Sequence, residues 1–163
     1  MTPPDTALHE ALRASRLAQD LSREQVAVLA TVVRLANYRA NEVLAMEGHT
    51  DNHLYALVEG SLNVVRHSGT PDEVVIATLR VGDFAHELGF LDGAERYASL
   101  VAATDVRVLV LEREGLESLI DRHPRILYAV MRAIVRTVHQ VQTRLSVQAS
   151  ELTNYIVKQH GRY

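Results

Sequence analysis

The residues best placed to do chemistry sit in one stretch: Gly82-Asp83-Phe84-Ala85-His86-Glu87-Leu88-Gly89-Phe90-Leu91, then Asp92-Gly93-Ala94-Glu95, then Arg96-Tyr97-Ala98-Ser99. A strand ends at the Gly82-Asp83 turn, a short helical turn starts near Glu87, and after Asp92-Gly93 a strand starts near Arg96. This order suits a site for an anion beside a hydroxyl. The first backbone N–H groups of a helical turn lack partners inside it and point toward an anionic oxygen. An arginine close by neutralises a phosphate through charge-assisted hydrogen bonds. A carboxylate accepts from a sugar hydroxyl. Glu87 and Arg96 would also orient one another. On spacing alone a second reading stays open, an ordinary ion pair between a turn and a strand.

Other chemistry finds less support. The chain has eight histidines. His49 and His53 have the spacing of a metal-binding helix face, but they flank Asp51-Asn52 in a turn region. No His-x-His pair with a following glutamate occurs, so no metal site is expected. His86-Glu87 invites a general acid/base role. No nucleophile with a positioned base and no glycine-rich nucleotide loop accompanies it, so the expectation is a protein that is not an enzyme. The absence of cysteine removes disulfides, thiolate metal sites and cysteine nucleophiles together. Net charge is -3 with a pI near 6.2, which offers no whole-molecule attraction for nucleic acid. Of 17 basic residues 16 are arginine, so a lone arginine says little. Arg125, Arg132, Arg136 and Arg144 read as a solvated helix face. No apolar run is long enough to span a membrane. The start, Met1-Thr2-Pro3-Pro4-Asp5, lacks the pattern of a secretory signal. A cytoplasmic protein with no membrane contact is expected.

Three textures position these residues. The chain of 163 residues divides into an N-terminal helical segment (1–33), a β core with a short helix (34–123) and a long C-terminal helix with its tail (124–163). In the first, Ser22 with Gln25 forms a capping box opening a helix from Arg23 to Val33. In the second, strands are expected at Leu35–Arg39, Val43–Met46, His53–Val58, Ser61–Arg66, Val74–Leu79, Ala98–Ala102 and Val106–Leu111, with a short helix from Glu114 to Asp121. Many short strands with turn signals between them indicate a β-barrel or jelly roll of about eight strands, and the fold class is α+β. In the third, Pro124 suits the first turn of a helix, and no further proline or glycine occurs before Lys158. Apolar residues recur along it at three- and four-residue steps: Val130, Ile134, Val138, Val141, Leu145, Leu152 and Ile156, with Gln148 the one interruption. A helix of roughly 50 Å, at about 1.5 Å per residue, outruns a small domain, so its distal part is expected to pack on a second copy in a homodimer. Gly161-Arg162-Tyr163 reads as a frayed tail.

The central stretch resembles the phosphate-binding cassette of cyclic nucleotide-binding domains. That family shows Phe-Gly-Glu-Leu-Ala-Leu, a short loop, then Arg-(Ala/Ser/Thr)-Ala-(Thr/Ser). Here Phe84 is followed by one extra residue, as in the bacterial catabolite activator branch, then His86, Glu87, Leu88, Gly89, Phe90 and later Arg96, Tyr97, Ala98, Ser99. Leu57–Val64 resembles the family's glycine-turn hairpin. Val108–Leu111 with the helices that follow resembles its last strand and its B and C helices.

The resemblance implies roles residue by residue. Glu87 accepts from a ribose 2′-hydroxyl. Arg96 pairs with the cyclic phosphate. The backbones around Leu88 and Ala98 donate to the phosphate or lie against it. Val64 and Ile76 wall the sugar and base, and Thr137, Val141 and Gln142 of the long helix are candidates for contacts to the base. Two residues depart from the pattern. His86 stands where the family nearly always has glycine. Tyr97 stands where alanine, serine or threonine is usual, at a position that discriminates purines, so it either fills the base site or stacks on the base. The expected function is a stand-alone sensor of a cyclic nucleotide monophosphate, with cyclic AMP weakly favoured over cyclic GMP. It would signal through the long helix to an as yet unidentified partner protein. Two alternatives stand beside it: a ligand-free dimeric interaction module with a degenerate pocket, and a transcription regulator supplied without its helix-turn-helix. Since the chain stops at Tyr163, no direct DNA binding is expected.

Overall fold

The computed structural model describes residues 3–160, and the side chains of all of these but 3–5, 145, 159 and 160. The Met1-Thr2 start, the Leu145 side chain of the apolar stripe and the Gly161–Tyr163 tail lie outside the described residues. In chain order the elements are α1 (Pro3–Ala14), a 3-10 turn (Arg16–Ala18), α2 (Arg23–Leu29), β1 (Val33–Tyr38), β2 (Val43–Ala45), β3 (His53–Glu59), β4 (Leu62–Arg66), β5 (Val74–Leu79), β6 (Phe84–Ala85), α3 (Glu87–Asp92), β7 (Ser99–Ala102), β8 (Val106–Glu112), α4 (Arg113–Glu117) and α5 (Pro124–His160). The eight strands form two antiparallel sheets, ordered β1-β8-β3-β6 and β2-β7-β4-β5. This is a jelly roll with N-terminal helices on one side and a long C-terminal helix.

The central strands explain the layering. The runs Leu54–Leu57 and Val108–Leu111 are continuously apolar because β3 and β8 bury both faces. Leu54, Ala56, Leu109 and Leu111 point to the helices, where they pack with Leu12, Leu17, Leu29, Phe90, Ile126, Val130 and Ile134. The alternate residues Tyr55, Leu57, Val108 and Val110 point into the roll, toward Leu62, Leu100 and Ala102. One sheet therefore separates two cores. The β3–β4 connection, which crosses from one sheet to the other and so is a turn between sheets rather than the hairpin expected from the sequence, turns at Gly60, where φ is +82° and a Cβ would stand 2.3 Å from the Asp105 carbonyl oxygen. Only glycine fits that turn.

Several boundaries differ from the sequence reading. The Ser22/Gln25 capping box forms, but α2 stops at Leu29 rather than Val33. The β-branched run Thr31-Val32-Val33 resists further helix, the last turn tightens through Thr31 N–H to the Val28 carbonyl at 3.1 Å, and Val33 already pairs with Leu111 in β1. The short helix is Arg113–Glu117 and not Glu114–Asp121, since Ser118 bonds back to the Gly115 carbonyl at 2.6 Å and the chain leaves as turns. Strand β6, unforeseen, is two residues long and pairs with Tyr55 and Ala56.

Helix α5 divides into two stretches of opposite character. Ile126, Val130 and Ile134 are at most 1% exposed, whereas Val147 is 52% and Leu152 62% exposed. Arg136 pairs with Asp20 at 2.7 Å and Arg16 with Gln140 at 3.3 Å, tying the proximal half to the N-terminal segment. No helix among the described residues is long and apolar enough to cross a membrane.

Candidate functional site

A cavity of about 500 Å³ opens between the β2-β7-β4-β5 sheet, the β6–α3 corner and α5. Val64 of β4 with Ile76 and Thr78 of β5 form its apolar wall. Asp83 to Glu87 form a second wall and Arg96 to Leu100 a third. Thr137, Val141, Arg144 and Gln148 of α5 lie along its outer side.

Arg96 carries the charge of this site. It is 4% exposed, and a charge so buried must be paired. Its partner is Asp51. Nε and Nη2 both donate to the Asp51 carboxylate, the latter at 2.7 Å, and Nη2 also donates to the His53 carbonyl at 3.3 Å. The backbone holds the same geometry, because Arg96 N–H donates to the His49 carbonyl at 2.9 Å and Gly48 N–H to the Arg96 carbonyl at 2.8 Å. The Tyr55 ring lies 5.3 Å from the guanidinium carbon, and burial first of all pushes its phenol up to about 12. Burial by itself would raise the Asp51 carboxyl as well. Hydrogen bonds from Arg96 and from the His53 N–H, with the Arg96 charge, outweigh that and hold it below its ordinary value. The expected mutual orientation of Glu87 and Arg96 is thus replaced by an Asp51–Arg96 pair. A residue separation of 45 hides that pair from any local motif.

Glu87 opens α3 and borders the cavity without an ion-pair partner among the described residues. Burial chiefly, opposed by its own N–H and aided by the nearby Asp83 charge, raises its carboxyl above the ordinary value. Such a group accepts readily from a neutral hydroxyl and takes no cation away from a ligand. His86 precedes it in the left-handed region, at φ +66° and ψ +29°, and its carbonyl accepts from Phe90 N–H at 2.8 Å. The histidine therefore adopts the backbone conformation that glycine takes cheaply. Tyr97 does not fill the cavity. It is 68% exposed at the rim, with the Arg66 guanidinium carbon 4.3 Å above its ring. Glu47 in turn holds Arg66 at 3.0 Å.

Nine of the eleven residues named from the sequence border the cavity: Val64, Ile76, His86, Glu87, Arg96, Tyr97, Ala98, Thr137 and Val141. Two do not. The Leu88 side chain is 57% exposed to solvent, leaving its backbone N–H, in the first turn of α3, as the group it can offer. Gln142 faces a shallow groove with His139 and Ser146 instead, because one step from Val141 turns the helix by about 100°. The helix residues that share the cavity with Thr137 and Val141 are Arg144 and Gln148. Their three- and four-residue spacing is the signal that finds them. Among the described residues no group of three or more His, Cys, Asp or Glu could hold a metal ion.

Comparison with known proteins gives the same fold and domain type. The family model described as cyclic nucleotide-binding domain matches residues 35–123. The CRP-like cAMP-activated global transcriptional regulator of Mycobacterium tuberculosis is 22% identical over 139 residues, which is 85% of this chain and 62% of that protein. The chain thus spans less than two thirds of that relative. A cGMP-dependent protein kinase of Caenorhabditis briggsae is 28% identical over 115 residues, 71% of this chain and 15% of the kinase. The solved cyclic nucleotide-binding domain of Methylobacillus flagellatus superposes with a TM-score of 0.76 at 23% identity, covering 89% of this chain and 83% of that one.

Proposed function

The chain belongs to the cyclic nucleotide-binding domain family, and from that premise we propose that its cavity binds a cyclic nucleotide monophosphate and that α5 reports the occupancy. Domains of this family are sensors and regulatory modules, generally without catalysis. The observation that carries the reading is the chemistry of facing walls: a buried arginine on one, a carboxylate outside any ion pair among the described residues on the other, apolar strands between them. The cyclic phosphate sits against Arg96, where the guanidinium offers charge-assisted donors. The ribose hydroxyl donates to Glu87. Val64 and Ile76 take the apolar faces of sugar and base. Arg144 and Gln148 supply polar contacts from α5, and Tyr97 at the rim offers a ring to a base. Because α5 lines the cavity, a ligand that fits one position of the helix better shifts its equilibrium position. The turns after α4 provide the hinge, and a partner protein or a second copy of the chain reads the helix. Cyclic AMP is favoured weakly over cyclic GMP.

A thermal-shift panel tests this with cyclic AMP, cyclic GMP and cyclic dinucleotides against the wild type and Arg96→Ala. A melting temperature raised by one mononucleotide is expected, by mass action on the folded state. The variant loses about ten- to a thousand-fold in affinity, because a desolvated phosphate forfeits its main cation. One observation favours the second reading, a ligand-free interaction module: Asp51 already occupies two donors of Arg96. No shift with any nucleotide, in a protein that melts cooperatively, turns the assignment to that module.

A further inference from the structure

The His86 ring is fitted into the cavity wall rather than merely tolerated there. A Cβ built on Gly89 would stand 2.1 Å from His86 Cε1, 2.4 Å from Nε2 and 2.7 Å from Nδ1. The imidazole therefore occupies the space that any side chain at position 89 would need. In the motif given above, position 86 carries glycine and position 89 alanine. Here a side chain stands at the first place and none at the second, and the histidine needs that glycine, because any side chain at 89 would collide with its ring. The backbone at His86 is also held at a positive φ, where a histidine is uncommon. The ring borders the same cavity as Arg96 and Glu87. Its Nε2 is packed against Gly89, sealed from solvent and without a hydrogen-bond partner among the described residues, which leaves Nδ1 as the ring nitrogen that can meet a ligand.

We propose that His86 is a second phosphate-contacting residue of this cavity, its imidazolium joining Arg96 on the bound anion, so that ligand binding takes up a proton. This rests on the cyclic nucleotide reading above and deepens it. The charge balance around the ring supports it. Arg96 and Asp51 face the ring as a neutralised pair, Asp92 lies on its own helix, Asp83 and Glu87 line the same wall, and Arg144 faces the cavity from α5. Without a ligand, burial first and then Arg96 keep the imidazole below its ordinary value, so it is neutral near pH 7. A phosphate anion beside it favours the charged form. The sign follows from linkage: affinity rises as pH falls through the histidine's value in the complex, and levels off below its value in the free protein.

Isothermal titration with cyclic AMP and cyclic GMP, between pH 6 and 8.5 in buffers of different ionisation enthalpy, tests it. This range stays above the titration of Asp51. The wild type is expected to bind about three- to fivefold more tightly at pH 6 than at pH 8.5, the part that falls inside this range when the complex holds the histidine's proton about tenfold more firmly than the free protein does. A buffer-dependent heat should accompany it, showing proton uptake. His86→Asn keeps a residue that accepts the left-handed backbone and should lose the pH dependence. The double variant His86→Gly/Gly89→Ala, which refills the space without a titrating group, should lose it too. Binding that is equally tight across the range, or a pH dependence retained by both variants, overturns the role of His86 while leaving the nucleotide site intact. No heat with either nucleotide at any pH overturns the nucleotide reading and this inference with it.

Discussion

At Arg96 the cavity presents a cation whose charge Asp51 already balances. The pair is held tightly, yet it is unequal: the arginine side chain is 3% exposed and the aspartate 24%. Removing the carboxylate strands a buried charge. Asp51→Asn is therefore expected to lower stability at pH 7 by about 2 kcal/mol, less than the 3–5 of a wholly buried pair because solvent reaches Asp51. Urea unfolding measures it. The pH dependence follows from the direction of the shift. Asp51 is held below its ordinary value in the folded state, so its contribution is complete above the ordinary carboxylate range and is lost as pH falls through the folded value. The wild type should lose more stability than Asp51→Asn on acidification below about pH 4, and equal acid slopes would remove the pair from the account. Gly89 supplies a second test at this scale. Gly89→Ala forces a methyl into the His86 ring and destabilises, while the same change beside His86→Gly is nearly free. The coupling between the two sites should be about 1–3 kcal/mol in a double-mutant cycle.

Among the elements, α5 does two jobs with one continuous helix. Its proximal half closes the helical core through Ile126, Val130 and Ile134. Its distal half leaves Val147 and Leu152 in solvent, where a second copy would cover them in the proposed homodimer. Leu152→Arg is expected to yield monomers in sedimentation equilibrium. The barrel's own melting should change little, since an exposed position far from the core costs within about 0.5 kcal/mol. A dimer that survives the substitution assigns assembly to another surface. The elements that were legible in the sequence are those whose burial writes a long signal. The runs at β3 and β8 are apolar throughout, and α5 lacks glycine and proline beyond its first residue. The strand β6 was not legible, because two residues carry no periodicity and its place depends on β3. At the site, Glu87, Arg96 and His86 were legible because they lie in one contiguous stretch. Asp51 was not, because only the fold brings it to Arg96. Gln142 lies one step of the helix outside this cavity, whereas the spacing from Thr137 and Val141 leads to Arg144 and Gln148.

Across the whole molecule, the β1-β8-β3-β6 sheet is the shared wall of both cores. Truncating it at Leu109, which is fully buried, is expected to cost about 2–5 kcal/mol and to lower the unliganded and liganded melting temperatures together. An effect on only one of them would mean that the two cores unfold separately. The position of β8 has one more consequence. It is bordered by β1 and β3 on both edges and covered on both faces, so no partial fraying frees its amides. In deuterated solvent the amide protons of Val108 to Leu111 should be the last to exchange, at a rate set by complete unfolding. Those along the uncovered end of α5 should go early. A cyclic nucleotide added to the same sample would then slow the β8 amides by the mass-action factor set by its concentration relative to its Kd, so that a strand outside the cavity lining becomes its most sensitive gauge.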